Sequence, residues 1–204
     1  MDLEHAKTIL NHLYADVDGY TISAQARKKL SYEDKAHTYG EITPDAFYKI
    51  LQDVEPMEGE KFYDLGSGTG KAVILAHLLF DFANCRGIEI LEELNNTAQT
   101  VLARFILEYR QTLPEKKQTL LISFIHGDIM NENFLDGDVF FTHATCFYDE
   151  LWVRMIGRLE YLKKGARVIV VTRTLDSPSF QLVRRAEYSL SWGQATVNSY
   201  VKIV

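Results

Sequence analysis

The chain has 204 residues, 47% hydrophobic and 25% charged, a balance that suits a globular protein able to bury its own core. Its net charge of −6 is uneven: residues 1–60 carry 6 Lys and Arg against 12 Asp and Glu, and the remainder is neutral. Only Arg27-Lys28-Lys29 forms a basic cluster, which argues against stable nucleic-acid binding, and no apolar run nears the ~18 residues of a membrane span. The N-terminus shows no secretory signal. Cys85 and Cys146 stand alone, which suits a reducing cytosol, and no Cys or His spacing points to a metal.

In chain order, helices are predicted over 2–14 and 21–32, separated by the turn-like Asp16-Val17-Asp18-Gly19. Thr43 then suits an N-cap and Pro44 the first position of a helix over 44–53. Strands over 61–65, 84–90, 119–126, 138–142 and 166–172 alternate with helices over 70–81, 91–112 and 148–162, with Pro114 ending the long helix. Such alternation predicts a parallel sheet with helices on both faces. The tail, 182–192 and 195–204 around Gly193-Gln194, reads as a hairpin. The expected organisation is a helical cap over 1–60 and a catalytic core over 61–204, packed as one structural unit.

The densest signal is Phe62-Tyr63-Asp64-Leu65-Gly66-Ser67-Gly68-Thr69-Gly70, a short strand ending in Asp and a glycine-rich turn that opens onto a helix beginning near Lys71. Glycines permit positive φ and close approach of a ligand, and the helix start offers unpaired N–H donors. The dinucleotide fingerprint requires a third glycine at a spacing that this loop does not keep. The pattern D-x-G-x-G-x-G is instead the form usual for S-adenosylmethionine-dependent methyltransferases. Glu89 closes the next strand 25 residues after Asp64, where a carboxylate can accept both ribose hydroxyls. After the third strand, Asp128 and Ile129 are candidates for the adenine amino group and ring face, although Gly-Asp is also a common turn. Asp64 has two readings as well: holding the cationic amino group of the cofactor, or capping the loop's own N–H groups.

Tyr39-Gly40-Glu41-Ile42-Thr43, the glycine loop, Gly87-Ile88-Glu89, Gly127-Asp128, Phe141–Phe147 and Ser191-Trp192-Gly193 together resemble the disruptor-of-telomeric-silencing family of non-SET histone lysine methyltransferases. The resemblance spans roughly residues 36–204. It implies a class I methyltransferase fold, Rossmann-like α/β with a mostly parallel seven-stranded sheet, and S-adenosyl-L-methionine as cofactor. It also implies methyl transfer to a lysine of a histone or another basic protein. Tyr39, Glu41 and Thr43 would then close over the methionine end of the cofactor, which Asp64, Gly66, Gly68, Gly70 and Lys71 also line. Phe147, Trp192 and Tyr200 would wall the lysine channel, where aromatic faces tolerate a methylated ammonium.

The chain departs from the family where His143-Ala144 replaces the usual Asn-Asn, and where Ser199 aligns with a channel tyrosine. His143 could accept the proton of the amine, since imidazole titrates near neutrality, or simply steady the cofactor or its loop. Two other readings stand beside lysine methylation at this point: a class I enzyme acting on RNA or a small molecule, and a cofactor-binding module without catalysis.

Overall fold

The computed structural model describes residues 1–29 and 40–204. Helix α1, Leu3–Leu13, starts at Asp2, whose carboxylate accepts the His5 N–H, and it turns Ala6, Ile9, Leu10 and Leu13 inward. Helix α2 covers Gly19–Lys29, and the rest of its predicted span lies outside the described residues. Helix α3 is Pro44–Asp53, as predicted, because the Thr43 hydroxyl accepts the Ala46 N–H and Pro44 has no N–H to leave unpaired.

The strands are β1 (Lys61–Leu65), β2 (Asn84–Glu89), β3 (Leu121–His126), β4 (Val139–Thr142), β5 (Arg167–Val171), β6 (Phe180–Leu190) and β7 (Gly193–Lys202). Among the described residues they form one sheet in the order β3-β2-β1-β4-β5-β7-β6. The first five run parallel, and β7 lies antiparallel between β5 and β6. Strand alternation divides the core between the two faces. Phe62, Phe141, Ile169 and Val197 join α1, α3, α4 (Lys71–Leu79) and α5 (Glu92–Glu108) on one side. Tyr63, Phe140, Val168 and Tyr200 join α7 (Asp149–Leu159) on the other. Helix α4 is buried along most of its length, which explains its almost unbroken apolar sequence.

Several boundaries differ from expectation, most clearly around the long helix and the C-terminal hairpin. The long helix ends at Glu108, and a 3-10 turn, Arg110–Thr112, takes over because Tyr109 leaves helical backbone angles. Pro114 then begins a short helix, α6 (Glu115–Thr119), so the third strand starts at Leu121. In the C-terminal hairpin Leu190 pairs with Gly193, so Ser191-Trp192 forms the turn. Gly193, at φ +134°, opens β7 instead of occupying the centre of the turn. None of the described helices is long and apolar enough to cross a membrane.

Candidate active site

Strand β1 delivers Asp64 to the C-terminal edge of the sheet, where open α/β sheets bind ligands. The chain turns there through Gly66, Gly68 and Gly70 at φ +93°, +54° and +82°, angles that side chains with a Cβ resist. At Gly70 a Cβ would stand 2.3 Å from the Phe124 ring, so this glycine also lets the turn pack on β3. Gly66 faces open space, which leaves its backbone accessible. The N–H groups of Gly66 and Ser67 anchor the loop on the Ile88 carbonyl at 2.9 and 3.0 Å.

Glu89, buried at the end of β2, accepts the Gly68 N–H at 2.8 Å through one oxygen and the Leu91 N–H at 2.9 Å through the other. Burial holds its pKa above the usual carboxylate range, while these backbone bonds pull it the other way. A carboxylate has about four acceptor positions, so it retains capacity for incoming hydroxyls.

Asp64 is also buried, and its Oδ1 has no partner. Burial, reinforced by the charge of Glu89, pushes its pKa up to about 8. Ser67 Oγ and His143 Nε2 are likewise buried without partners. All three residues line one cleft, together with Gly40, Glu41, Gly66, Lys71 and Phe141. Leaving a buried polar atom unpaired costs ~1–3 kcal/mol, so three around one cleft suit a polar ligand, with a cationic group facing Asp64.

His143 follows β4 and precedes the 3-10 turn Ala144–Cys146. Burial pushes its pKa down to about 4, so the ring is neutral at pH 7 and does not titrate near neutrality. The Trp192 indole meets it edge to face, with ring centroids 4.4 Å apart. Gly40 fits against both: a Cβ there would lie 3.0 Å from His143 Cε1 and 3.4 Å from the indole. Next to it, Glu41 pairs with Lys71 at 2.5 Å, and Lys71 lies 5.0 Å above the Tyr14 ring. The Glu41 carbonyl accepts the Ser191 hydroxyl at 2.8 Å, and Thr43 donates to the Ser189 carbonyl at 3.2 Å. Residues 40–43 are thus tied to the start of α4 and to the tip of the hairpin. Tyr39 lies outside the described residues.

Other expected site residues sit apart from this group. Asp128 accepts the Met130 N–H at 2.8 Å and the Asn131 amide at 3.3 Å, so its carboxylate closes a turn. Ile129 is half-buried and gives its carbonyl to Arg158 at 2.9 Å. Phe147 is buried beside Trp152, and its carbonyl accepts the Arg173 guanidinium. Tyr200 does not reach the cleft. It pairs with Val168 three residues back from the end of β5, joins the core on the α7 side, and its hydroxyl accepts the Leu175 N–H at 3.0 Å. The expectation that it lines a channel overlooks strand register, which turns it away from Phe141 and Ser199. Conversely, Tyr14 belongs to the site's surroundings without a sequence signal, because only tertiary contact brings α1 beside Lys71.

Among solved structures, TrmN from Thermus thermophilus matches with a TM-score of 0.64 at 18% identity, over 83% of this chain and 52% of its own. An RNA methyltransferase from Salinibacter ruber in complex with S-adenosyl-L-homocysteine matches with a TM-score of 0.58 at 20% identity, over 80% of this chain and 94% of its own. Likeness at this level speaks for the fold, which is the α/β class I methyltransferase fold. The "Histone-lysine N-methyltransferase, H3 lysine-79 specific" of Candida albicans is 30% identical over 178 residues, 85% of this chain and 13% of that protein. Its namesake in Debaryomyces hansenii is 30% identical over 168 residues, 79% of this chain and 14% of that protein. The chain therefore spans about a seventh of the length of these relatives. The family model described as "Histone methylation protein DOT1" matches residues 20–204, and the chain belongs to that family.

Proposed function

We propose that the cleft holds S-adenosyl-L-methionine and that the chain transfers its methyl group to a lysine of a basic protein, with histones the first candidates. The observation that carries this reading is the set of buried, unpartnered atoms Asp64 Oδ1, Ser67 Oγ and His143 Nε2 around one cleft beside the glycine loop. The bound cofactor supplies an activated methyl group on a sulfonium. Asp64 would take the α-ammonium of its amino-acid part, the cationic group with N–H donors to offer a buried carboxylate. Glu89 would offer its remaining acceptor positions to the ribose hydroxyls, and Asp128 with Ile129 would meet the adenine.

The lysine amine must lose its proton before it attacks. With a pKa of about 4, His143 is a poor acceptor for it: the gap to a free lysine near 10.4 is about 6 pH units, or ~9 kcal/mol. We therefore assign His143 an orienting role, in which Nε2 accepts an N–H of the neutral amine and aims its lone pair into the cleft. Trp192 would hold the imidazole in place and shield the amine from water. The rate gain then comes from alignment of amine and methyl group in a dry site.

The test is methyl transfer from labelled S-adenosylmethionine to a mixture of histones, ribosomal proteins and RNA. Label in protein lysines is expected, and Glu89→Ala should weaken cofactor binding by about tenfold or more. Label confined to RNA would overturn the lysine assignment. Calorimetry showing no cofactor binding would overturn the whole reading. Replacing His143 with Asn should lower turnover without moving its pH profile, and a shifted profile would restore a proton-accepting role.

A further inference from the structure

A second cavity, of about 240 Å³, lies behind residues 41–44, between α1 and the hairpin tip. Its walls include Leu10, Asn11 and Tyr14 of α1, together with Ile42, Pro44 and Ser191. Glu41, Ile42 and Lys71 also line the inner cleft, so one stretch of chain forms the partition between the two spaces.

The chemistry of the walls narrows the guest. Among the described residues the lining carries the charges of Glu41 and Lys71, which are closed on each other at 2.5 Å, and a charged guest would have to break that pair. The hydroxyls are already engaged. Thr43 caps α3 and donates to Ser189, while Ser191 bonds the Glu41 carbonyl and the Tyr20 hydroxyl. What remains is a mixed, uncharged wall, with carbon from Leu10, Ile42 and Pro44 beside the amide of exposed Asn11. The volume equals that of about eight waters at ~30 Å³ each, ample for one side chain of leucine, methionine or glutamine size. The walls are also preformed: the Tyr14 hydroxyl donates to the Thr69 carbonyl at 2.9 Å, and its ring supports Lys71.

We propose that this cavity receives an uncharged side chain of the acceptor protein, a few residues from the target lysine, and so selects the sequence around that lysine. The position fits. Ser191 on its wall adjoins Trp192, which packs on His143, so a guest chain leaving the His143 side needs only two or three extended residues, at ~3.3 Å each, to reach the cavity. This inference rests on the lysine-transfer reading and adds a context preference to it.

Asn11→Trp would fill the mouth from an exposed helix position outside the cleft. The experiment uses the full chain, isotope-labelled and saturated with S-adenosyl-L-homocysteine, titrated with synthetic Gly/Ser-rich peptides. Each peptide carries one lysine flanked by leucine, glutamine, aspartate or arginine. Backbone amide shifts report the site. The leucine or glutamine peptides should move the amides of Asn11, Tyr14, Ile42 and Ser191, and should bind about tenfold more tightly than the aspartate and arginine peptides. Asn11→Trp should erase that preference and leave affinity for S-adenosyl-L-homocysteine unchanged. Equal affinity for all four peptides, peptide binding without shifts at these amides, or no peptide binding would overturn the proposal. Loss of S-adenosyl-L-homocysteine binding in the unaltered chain would instead overturn the cofactor reading on which it rests.

Discussion

The Trp192 indole stands perpendicular to the His143 imidazole, at an interplanar angle of 89°, and so joins the tip of the C-terminal hairpin to the loop after β4. His143 is half-buried and Trp192 is 40% exposed, so the contact lies where the interior of the cleft meets solvent. An edge-to-face pair is worth ~0.5–1.5 kcal/mol, enough to hold a ring orientation but not to hold the fold.

Trp192→Ala should therefore lower methyl transfer by about tenfold while the melting temperature falls by only a few degrees. Cofactor affinity, read by calorimetry, should stay within about twofold. A cofactor affinity that fell in parallel with turnover would place the indole against the cofactor instead of the acceptor.

Asp64 gives the cleft a proton-linked signature. Its pKa near 8 in the free protein means that about nine tenths of the molecules carry a proton there at pH 7. Binding a cationic α-ammonium should ionise it, so close to one proton should leave on cofactor binding at pH 7, and roughly none at pH 9.5. Affinity should rise with pH up to about 8. Glu89 faces the same space, and His143 near 4 is silent in this window. Binding enthalpies in buffers of different ionisation heat measure the proton count, and Asp64→Asn should abolish it.

Mild acidification should draw stability away through His77, against the opposite pull of Asp64, whose raised pKa adds stability as pH falls below about 8. This residue is fully buried in α4, neither ring nitrogen has a partner, and burial with help from Lys117 and Arg110 pushes its pKa down to about 3. A histidine whose folded pKa lies below its unfolded value contributes stability that is complete above pH ~6.5 and is lost as pH falls. His143 acts with the same sign. Relative to His77→Leu, the unaltered chain should lose roughly 2 kcal/mol of urea-unfolding stability between pH 7.5 and pH 5, a pKa-linkage figure in which the Asp64 contribution cancels. The same pH dependence in both proteins would move this acid sensitivity away from His77.

Arg173 holds the loop after β4. Its guanidinium donates to the Phe147 carbonyl and pairs with Asp149 at 2.9 Å, while its own carbonyl accepts the Asn198 amide. Thr172, just before it, sits at φ +73°, a strained angle for a β-branched residue, and that turn directs the arginine back across the loop. Lysine carries a single ammonium and cannot reproduce the fork. Arg173→Lys should cut turnover by about tenfold with cofactor affinity intact, because it loosens His143 through its loop. Equal activity would show that the loop holds its shape without the fork.

Legibility followed chain distance. The glycine loop, Thr43 over α3 and the alternation of strands and helices were readable because each depends on neighbours within a few residues. Glu89 is legible as the acid that closes the second strand, but its two bonds to Gly68 and Leu91 are not, since they depend on how β2 sits beside β1. Tyr200 was misjudged for the opposite reason. Its aromatic character suggested a channel wall, but register with β5 decides which face it meets, and register is set by pairing that no local pattern records. The grouping of Tyr14, Glu41, Lys71 and Ser191 joins four separate segments and could not be read from any of them.

The position of β7 between β5 and β6 also bears on the order of assembly. Among the described residues, strand β6 has no neighbour in the sheet except β7, so it cannot dock before the chain has reversed and β7 has found β5. The two must arrive as a ribbon, and Trp192 arrives with them at its tip. The contacts of the glycine loop with Ile88 and Glu89 span fewer than thirty residues and need no such reversal. Pulse-labelling hydrogen exchange during refolding should therefore protect the Gly66 and Gly68 amides before the amides through which β7 pairs with β5. A nascent chain would then hold its cofactor loop some time before it could shape an acceptor, and simultaneous protection of both regions would contradict that sequence of events.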